Sequence, residues 1–251
     1  MSKNVVDATL SDAVCLVTHV NHFVGEGAVA RLLVEGMTVV CHDRLFEDKG
    51  QRDVFQTRFP NAEICVGIEP QYIVEDLMDR FGRIDVLVSN DPYPAERAPV
   101  DEARADDYRN TLEALTVWPF DLVTHVSKHM KIQKCGRIIF VSSAAPLAGI
   151  ANYSMYAGAR GATNALVGSL SKELAPFGIS VNAIAPNFIK NPDYFPPELL
   201  ENEAALSKIL GNIPLGRLGE PEEVAELIAL FASGRCGFVT GHILPVAGGW
   251  A

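Results

Sequence analysis

Short runs of consecutive apolar, mostly β-branched residues alternate along the chain with longer segments in which apolar positions recur every three to four residues. The clearest runs are Ala13–Thr18 (AVCLVT), Met37–His42 (MTVVCH), Ile84–Asn90 (IDVLVSN), Gly136–Ser143 (GRIIFVSS) and Ile179–Pro186 (ISVNAIAP). Runs that are apolar at nearly every position predict strands covered on both faces, as in a parallel sheet. AEICV near Ala62 and HILPV near His242 are weaker runs of the same kind. Helical periodicity is longest over Asp101–Met130 and Tyr153–Phe177. Strand and helix in alternation mean βαβ units with right-handed crossovers. The expected fold is therefore α/β: a single doubly wound, Rossmann-like parallel sheet with helices on both faces.

No Pro/Gly/Ser-rich linker, repeat or low-complexity stretch divides the 251 residues, so one domain over 1–251 is expected, with residues 1–12 as a flexible lead. Lys and Arg number 21 against 31 Asp and Glu, a formal charge of −10 with no basic block. That balance gives no footprint for nucleic acid or an anionic membrane surface. No apolar run approaches the roughly 20 residues that span a bilayer, and the first residues do not resemble a secretory signal. Five scattered cysteines without a C-x-x-C pair point to a reduced, cytoplasmic protein. His19 and His22 lack a third ligand, so they are read as loop histidines and no metal site is expected.

In a doubly wound sheet, ligands bind beyond the carboxyl ends of the strands. That rule selects Thr18–Gly25, Ser89–Asp91, Ser142–Pro146 and Pro186–Phe195. Ser143 closes a strand, Tyr156 follows on a helix, and Arg160 lies one turn further on the same face. A tyrosine of ordinary pKa, about 10, is only about one part in a thousand phenolate near neutral pH. A cation about 4 Å away supplies on the order of 4 kcal/mol at an effective dielectric of 20, against about 1.4 kcal/mol per pKa unit. Tyr156 thus reads as a general base and Arg160 as its fixed positive charge.

Serine followed by a tyrosine and a cation one turn on resembles the short-chain dehydrogenase/reductase superfamily, whose pattern is Ser and Tyr-x-x-x-Lys. SLSKELAPFGISVNAIAP, PLGRLGEPEEVAELIALFASG and the terminal VTG and GGW agree with it. Departures from that pattern change its meaning. The superfamily's cofactor loop, T-G-x-x-x-G-x-G, brings backbone amides to a pyrophosphate. Here the stretch is Thr18-His19-Val20-Asn21-His22-Phe23-Val24-Gly25, with His19 and Phe23 at the first two glycine positions. Arg160 stands for the lysine, and Asn187 for the glycine usual after Pro186.

This combination is similar to the halohydrin (haloalcohol) dehalogenases, as are CHD at Cys41–Asp43, VSND at Val88–Asp91, and PNF followed by NP-x-YFP over Pro186–Pro196. The resemblance implies a nicotinamide-independent lyase with no cofactor. Ser143 would hold a substrate hydroxyl, Tyr156 would remove its proton, and Asp91 would orient Arg160 through a charge-assisted pair. The alkoxide would displace halide from the neighbouring carbon to give an epoxide. Reversal would open epoxides with halide, azide, cyanide or nitrite. Phe23, Pro186, Asn187, Phe188, Ile189 and Phe195 would form the halide pocket, and Ala145, Ile150 and Tyr153 the substrate walls. Partners would be small vicinal haloalcohols, epoxides and small anions, with a homotetramer, a dimer of dimers, as the assembly. Two alternatives stay open: an NAD(P)-dependent oxidoreductase with a degenerate glycine loop, in which Asp43 would bind ribose rather than cap or face solvent, and a catalytically silent oligomeric scaffold. Trp250 receives no role.

Overall fold

The computed structural model describes residues 13–192 and 194–251; the expected lead at 1–12 lies outside them. Seven strands form one parallel sheet in the order β3-β2-β1-β4-β5-β6-β7. They are β1 (Val14–Val17), β2 (Thr38–His42), β3 (Glu63–Cys65), β4 (Val86–Ser89), β5 (Gly136–Val141), β6 (Ile179–Pro186) and β7 (Ile243–Val246). Both weak runs are thus strands, and they are the two edges of the sheet among the described residues.

Alternate residues along each strand feed opposite cores, as a period of two requires. Cys15, Val17, Val39, Val86, Val88 and Ile139 face one layer, with Val29 and Leu32 of α1 (Gly25–Val34), Phe55 of α2 (Lys49–Arg58) and Ile228. Leu16, Val40, Leu87, Ile138 and Phe140 face the other, with Leu77 of α3 (Pro70–Phe81) and Val167. Three cysteines, Cys15, Cys41 and Cys65, are buried as small hydrophobes in this packing, and burial pushes their thiols up, that of Cys65 to about 11.

The expected helix at Asp101–Met130 is instead α4 (Ala105–Leu112), a wide π turn at Glu113–Val117, and α5 (Trp118–Gln133). Pro119 is the cause. It has no N–H for the Leu115 carbonyl, and a proline fits only in the first turn of a helix. The Thr163 hydroxyl donates to that carbonyl instead, at 2.6 Å. After β5 come a short helix α6 (Ala145–Ala148) and the long α7 (Ser154–Leu174), which carries Thr163 and ends in a 3-10 turn at Ala175–Phe177. Beyond β6 lie α8 (Pro197–Glu201), α9 (Glu203–Leu210) and α10 (Pro221–Ala232). No helix of the described residues is long and apolar enough to cross a membrane, and none of their His, Cys, Asp and Glu side chains form a group of three able to hold a metal.

Candidate active site

A cavity of about 1000 Å³ opens at the carboxyl ends of β1, β4, β5 and β6. The four segments singled out by the sheet rule all reach it. Every candidate residue lines it: Ser143, Tyr156, Arg160 and Asp91; Phe23, Pro186, Asn187, Phe188, Ile189 and Phe195; Ala145, Ile150 and Tyr153.

Ser143 lies just past β5, buried, its Oγ accepting from the Ala145 amide at 3.1 Å. Asn164, two turns along α7 from Tyr156, accepts from the Ser142 hydroxyl at 2.6 Å and donates to the Ser143 carbonyl at 3.5 Å, anchoring this stretch to the helix. Tyr156 is half-buried, and Arg160 Nε donates to its hydroxyl at 3.3 Å. The other guanidinium nitrogens donate to main-chain carbonyls, Nη1 to Val141 at 3.1 Å and Nη2 to Asp91 at 2.8 Å. The cation is thereby fixed in a fork that a lysine cannot match. Burial pushes the Tyr156 phenol up, but the Arg160 charge and hydrogen bonds from Arg160, Ser143 and Tyr194 outweigh it, and the net is below the ordinary value.

The expected pairing of the Asp91 carboxylate with Arg160 is corrected here. It is the Asp91 backbone that holds the guanidinium. The carboxylate turns away, accepting from Thr18 Oγ1 at 3.3 Å and Ser89 Oγ, with His19 Nδ1 at 3.1 Å. His19 is accordingly no ordinary loop histidine: it is buried, and its ring stands edge-on to Trp118 and His42. His42 stacks on Trp118 with centroids 5.6 Å apart. Burial, reinforced by His19, holds His42 neutral and lowers its pKa to about 3, against the opposing pull of Asp43, Asp91 and the Gly67 backbone.

The loop after β1 keeps a glycine-type backbone although its glycines are gone. His19 and Phe23 have φ of 48° and 51°, a left-handed conformation that costs non-glycine residues about 1–3 kcal/mol each. Gly25 is retained, because a Cβ there would lie 2.5 Å from the Val20 carbonyl oxygen. Four amides of the loop are already engaged: Val20 N–H donates to the His42 carbonyl, Asn21 N–H to Asp43, His22 N–H to the His19 carbonyl, and Gly25 N–H to the His22 carbonyl. Asp43, the residue a ribose would need, spends its two oxygens on the Asn21 and Leu45 amides, each at 2.9 Å, so it is a cap. With Phe23 on the cavity wall besides, these residues do not fit a nicotinamide dinucleotide.

The opposite wall is the segment after β6. Phe188 also has positive φ, 57°, and its N–H is taken by Asn187 Oδ1 at 2.9 Å, while Asn187 Nδ2 is buried without a partner among the described residues. Trp250 stands edge-on to Phe188 with centroids 5.5 Å apart and lines the cavity, a position the sequence did not disclose. Neither was Tyr194 anticipated. Asn191 Oδ1 accepts from its amide at 3.0 Å, its ring meets Phe23 edge-on at 6.5 Å, and its hydroxyl reaches the Tyr93 carbonyl at 3.3 Å. The NP-x-YFP motif contained it, but only the turn made by Asn191 aims it inward.

A family model described as enoyl-(acyl carrier protein) reductase matches residues 21–251. The 3-oxoacyl-(acyl-carrier-protein) reductase FabG of Thermotoga maritima is 30% identical over 96% of this chain and 98% of its own. A cis-4-hydroxycyclohexanecarboxylate dehydrogenase of Sinomonas cyclohexanicum is 33% identical over 96% and 97%. Among solved structures, a dehalogenation enzyme is 48% identical with a TM-score of 0.94, covering 97% of this chain and all 100% of that one. A halohydrin dehalogenase bound to ethyl (2S)-oxiran-2-ylacetate is 38% identical with a TM-score of 0.91, covering 94% and 96%. A tyrosine beside a fixed cation, in a fold whose loop after the first strand carries side chains in place of glycines, agrees with these likenesses: the chain belongs to the short-chain dehydrogenase/reductase superfamily and within it resembles the halohydrin dehalogenases.

Proposed function

We propose that the protein is a halohydrin dehalogenase that closes vicinal haloalcohols to epoxides and halide without a nicotinamide cofactor. The observation that carries this reading is Phe23 and Asn187 on the wall of a cavity that also holds Ser143, Tyr156 and Arg160. Such a site retains proton chemistry and lacks the place for a hydride donor. Ser143 holds the substrate hydroxyl, and the Tyr156 phenolate takes its proton. The alkoxide's electron pair then forms the new C–O bond as the adjacent C–halogen bond breaks, and the halide leaves toward Phe23, Pro186, Asn187, Phe188, Ile189 and Phe195. Apolar edges and an unpartnered amide suit a weakly hydrated anion. The same path run backwards opens epoxides with halide, azide, cyanide or nitrite. Arg160 keeps its proton throughout and supplies charge alone.

The reductase reading draws on the curated relatives, so one experiment is set to separate the two. Bromide release from a bromo-propanol with no nicotinamide present is the expected result. NADH fluorescence enhancement on mixing, together with no halide release from any small vicinal haloalcohol, would overturn it. A cytoplasmic homotetramer remains part of the proposal. Exposed Val117, ending the π turn, and Phe120, in the first turn of α5, support association between copies, and sedimentation reads the assembly directly.

A further inference from the structure

Arg160 supports an anion at Tyr156 only while its charge is not taken up by an acid beside it. Asp91 is placed to take it: its backbone carbonyl already accepts from Arg160 Nη2 at 2.8 Å, and a carboxylate and a guanidinium within reach form two-pronged ion pairs. The Asp91 carboxylate nevertheless turns away. Thr18 Oγ1 and Ser89 Oγ donate to it, and His19 Nδ1 lies 3.1 Å from its Oδ1. A carboxylate only accepts, so Nδ1 is the donor in that contact.

The His19 ring is braced on several sides. It is buried, edge-on to Trp118 of α5 at 5.0 Å and to His42 of β2 at 5.2 Å, and the His19 carbonyl accepts from Asn90 Nδ2 at 3.0 Å. Thr18 Oγ1 is the longer contact at 3.3 Å and is shared, since it also accepts from the Asn90 amide at 2.9 Å. Ser89 is two residues from Asp91 and is carried by the same strand end. The His19 φ of 48° is strained for a residue with a side chain. Such a backbone at a position where glycine would be relaxed points to a task for the ring.

We infer that His19 is a positioning residue for the base: its ring holds the Asp91 carboxylate away from Arg160 and so leaves the cation to Tyr156. The inference rests on the reading of Tyr156 as the base. Without the Nδ1 donor the buried carboxylate lacks a partner, and the guanidinium bonded to the same residue's carbonyl is a stronger donor than a hydroxyl. Pairing would draw Arg160 off the phenol oxygen, which its Nε meets at 3.3 Å, and bring a negative charge toward that oxygen. Both changes disfavour the phenolate. The titratable neighbours are His42, with Asp43 next to it, on the side of His19, and Arg160 with Tyr156 on the side of Asp91.

The test compares His19→Gly with His19→Asn. Glycine adopts this backbone freely and removes the donor. Asparagine also tolerates it and returns an N–H near the place of Nδ1. Ionisation of Tyr156 is read from the near-ultraviolet absorbance of phenolate, after subtracting the titration of Tyr156→Phe made in each background. We expect Tyr156 to ionise about one pH unit higher in His19→Gly, which is about tenfold less phenolate at a given pH below the midpoint, and within about 0.3 unit of wild type in His19→Asn. The acid limb of kcat/KM for halide release should move by the same intervals, with the rate recovering at higher pH. In an Asp91→Asn background, where there is no carboxylate to hold, His19→Gly should no longer shift Tyr156. An unmoved titration in His19→Gly, an equal shift in His19→Asn, or a full shift in the Asp91→Asn background would overturn the inference. If circular dichroism shows that His19→Gly does not fold, His19→Leu, which fills the space beside Trp118 without a donor, is read against the same expectation. Failure of the wild type to release halide would sink the dehalogenase reading, while the absorbance titration still decides the role of His19.

Discussion

The two halves of the sheet's carboxyl rim spend their polar groups in opposite ways. Around β1 and β2, Asp43 caps two amides, the His22 and Gly25 amides donate to carbonyls of their own loop, and His42 is buried neutral against Trp118. Around β5, α7 and β6, Ser143, Tyr156, Arg160 and Asn187 surround open space. In the first half Asp43 is spent on two amides, while Asn21 Nδ2 and Trp118 Nε1 are buried with no hydrogen-bond partner among the described residues and do not line the cavity; the second half is fixed by backbone contacts and its side chains face the cavity. In a fold that places both halves at one rim, chemistry is to be sought where fixed polar groups face open space rather than where they are buried.

Substitutions can break this division. The largest effect is expected from Tyr156→Phe, which should reduce turnover about a thousandfold while leaving the circular dichroism spectrum unchanged; retention of most activity would remove Tyr156 from the mechanism. Arg160→Ala should cost about a hundredfold and Arg160→Lys less, because a lysine keeps the charge though it loses the fork to Val141 and Asp91. The proposed mechanism fixes the sign of the pH effect: with Tyr156 as an anionic base, kcat/KM falls as pH drops through its pKa. Losing the cation raises that pKa, and the acid limb of Arg160→Ala should lie at higher pH than that of wild type.

The closed half should show its effects in stability instead. With His42 lowered to about 3 in the folded chain and near 6.5 when unfolded, the unfolded state binds the extra proton, and stability is lost as pH falls below about 6.5. Between pH 7 and pH 5 the loss is about 2 kcal/mol. His42→Phe, which preserves a ring against Trp118, should remove that part of the slope in urea titrations and leave turnover as it was. The smallest effect is expected from Asp43→Ala, about 1 kcal/mol from the lost cap with unchanged kcat; a large loss of activity there would mean that the two halves are coupled.

The sheet was legible in the sequence because buried parallel strands are written as continuous apolar runs, and the two faint ones turned out to be edges. The helix ends were less so. Pro119 was visible in the sequence, but that Thr163 would take over the Leu115 carbonyl depends on α7 packing alongside. The sequence brought the candidate site residues to one cavity, but their orientation was not readable. Asp91 stands beside Arg160 as its position promised, yet a sequence does not say whether a carbonyl or a carboxylate makes the contact. Tyr194 was hidden for the same reason, since its direction is set by the amide-to-side-chain turn at Asn191.

The chain has two tryptophans, and they fall one in each half. Trp118 is 7% exposed between His19 and His42, whereas Trp250 lines the cavity beside Phe188. Heavy anions such as bromide and iodide quench indole fluorescence on contact. An anion entering the cavity should therefore darken Trp250 and spare Trp118, so that the protein reports its own occupancy as light.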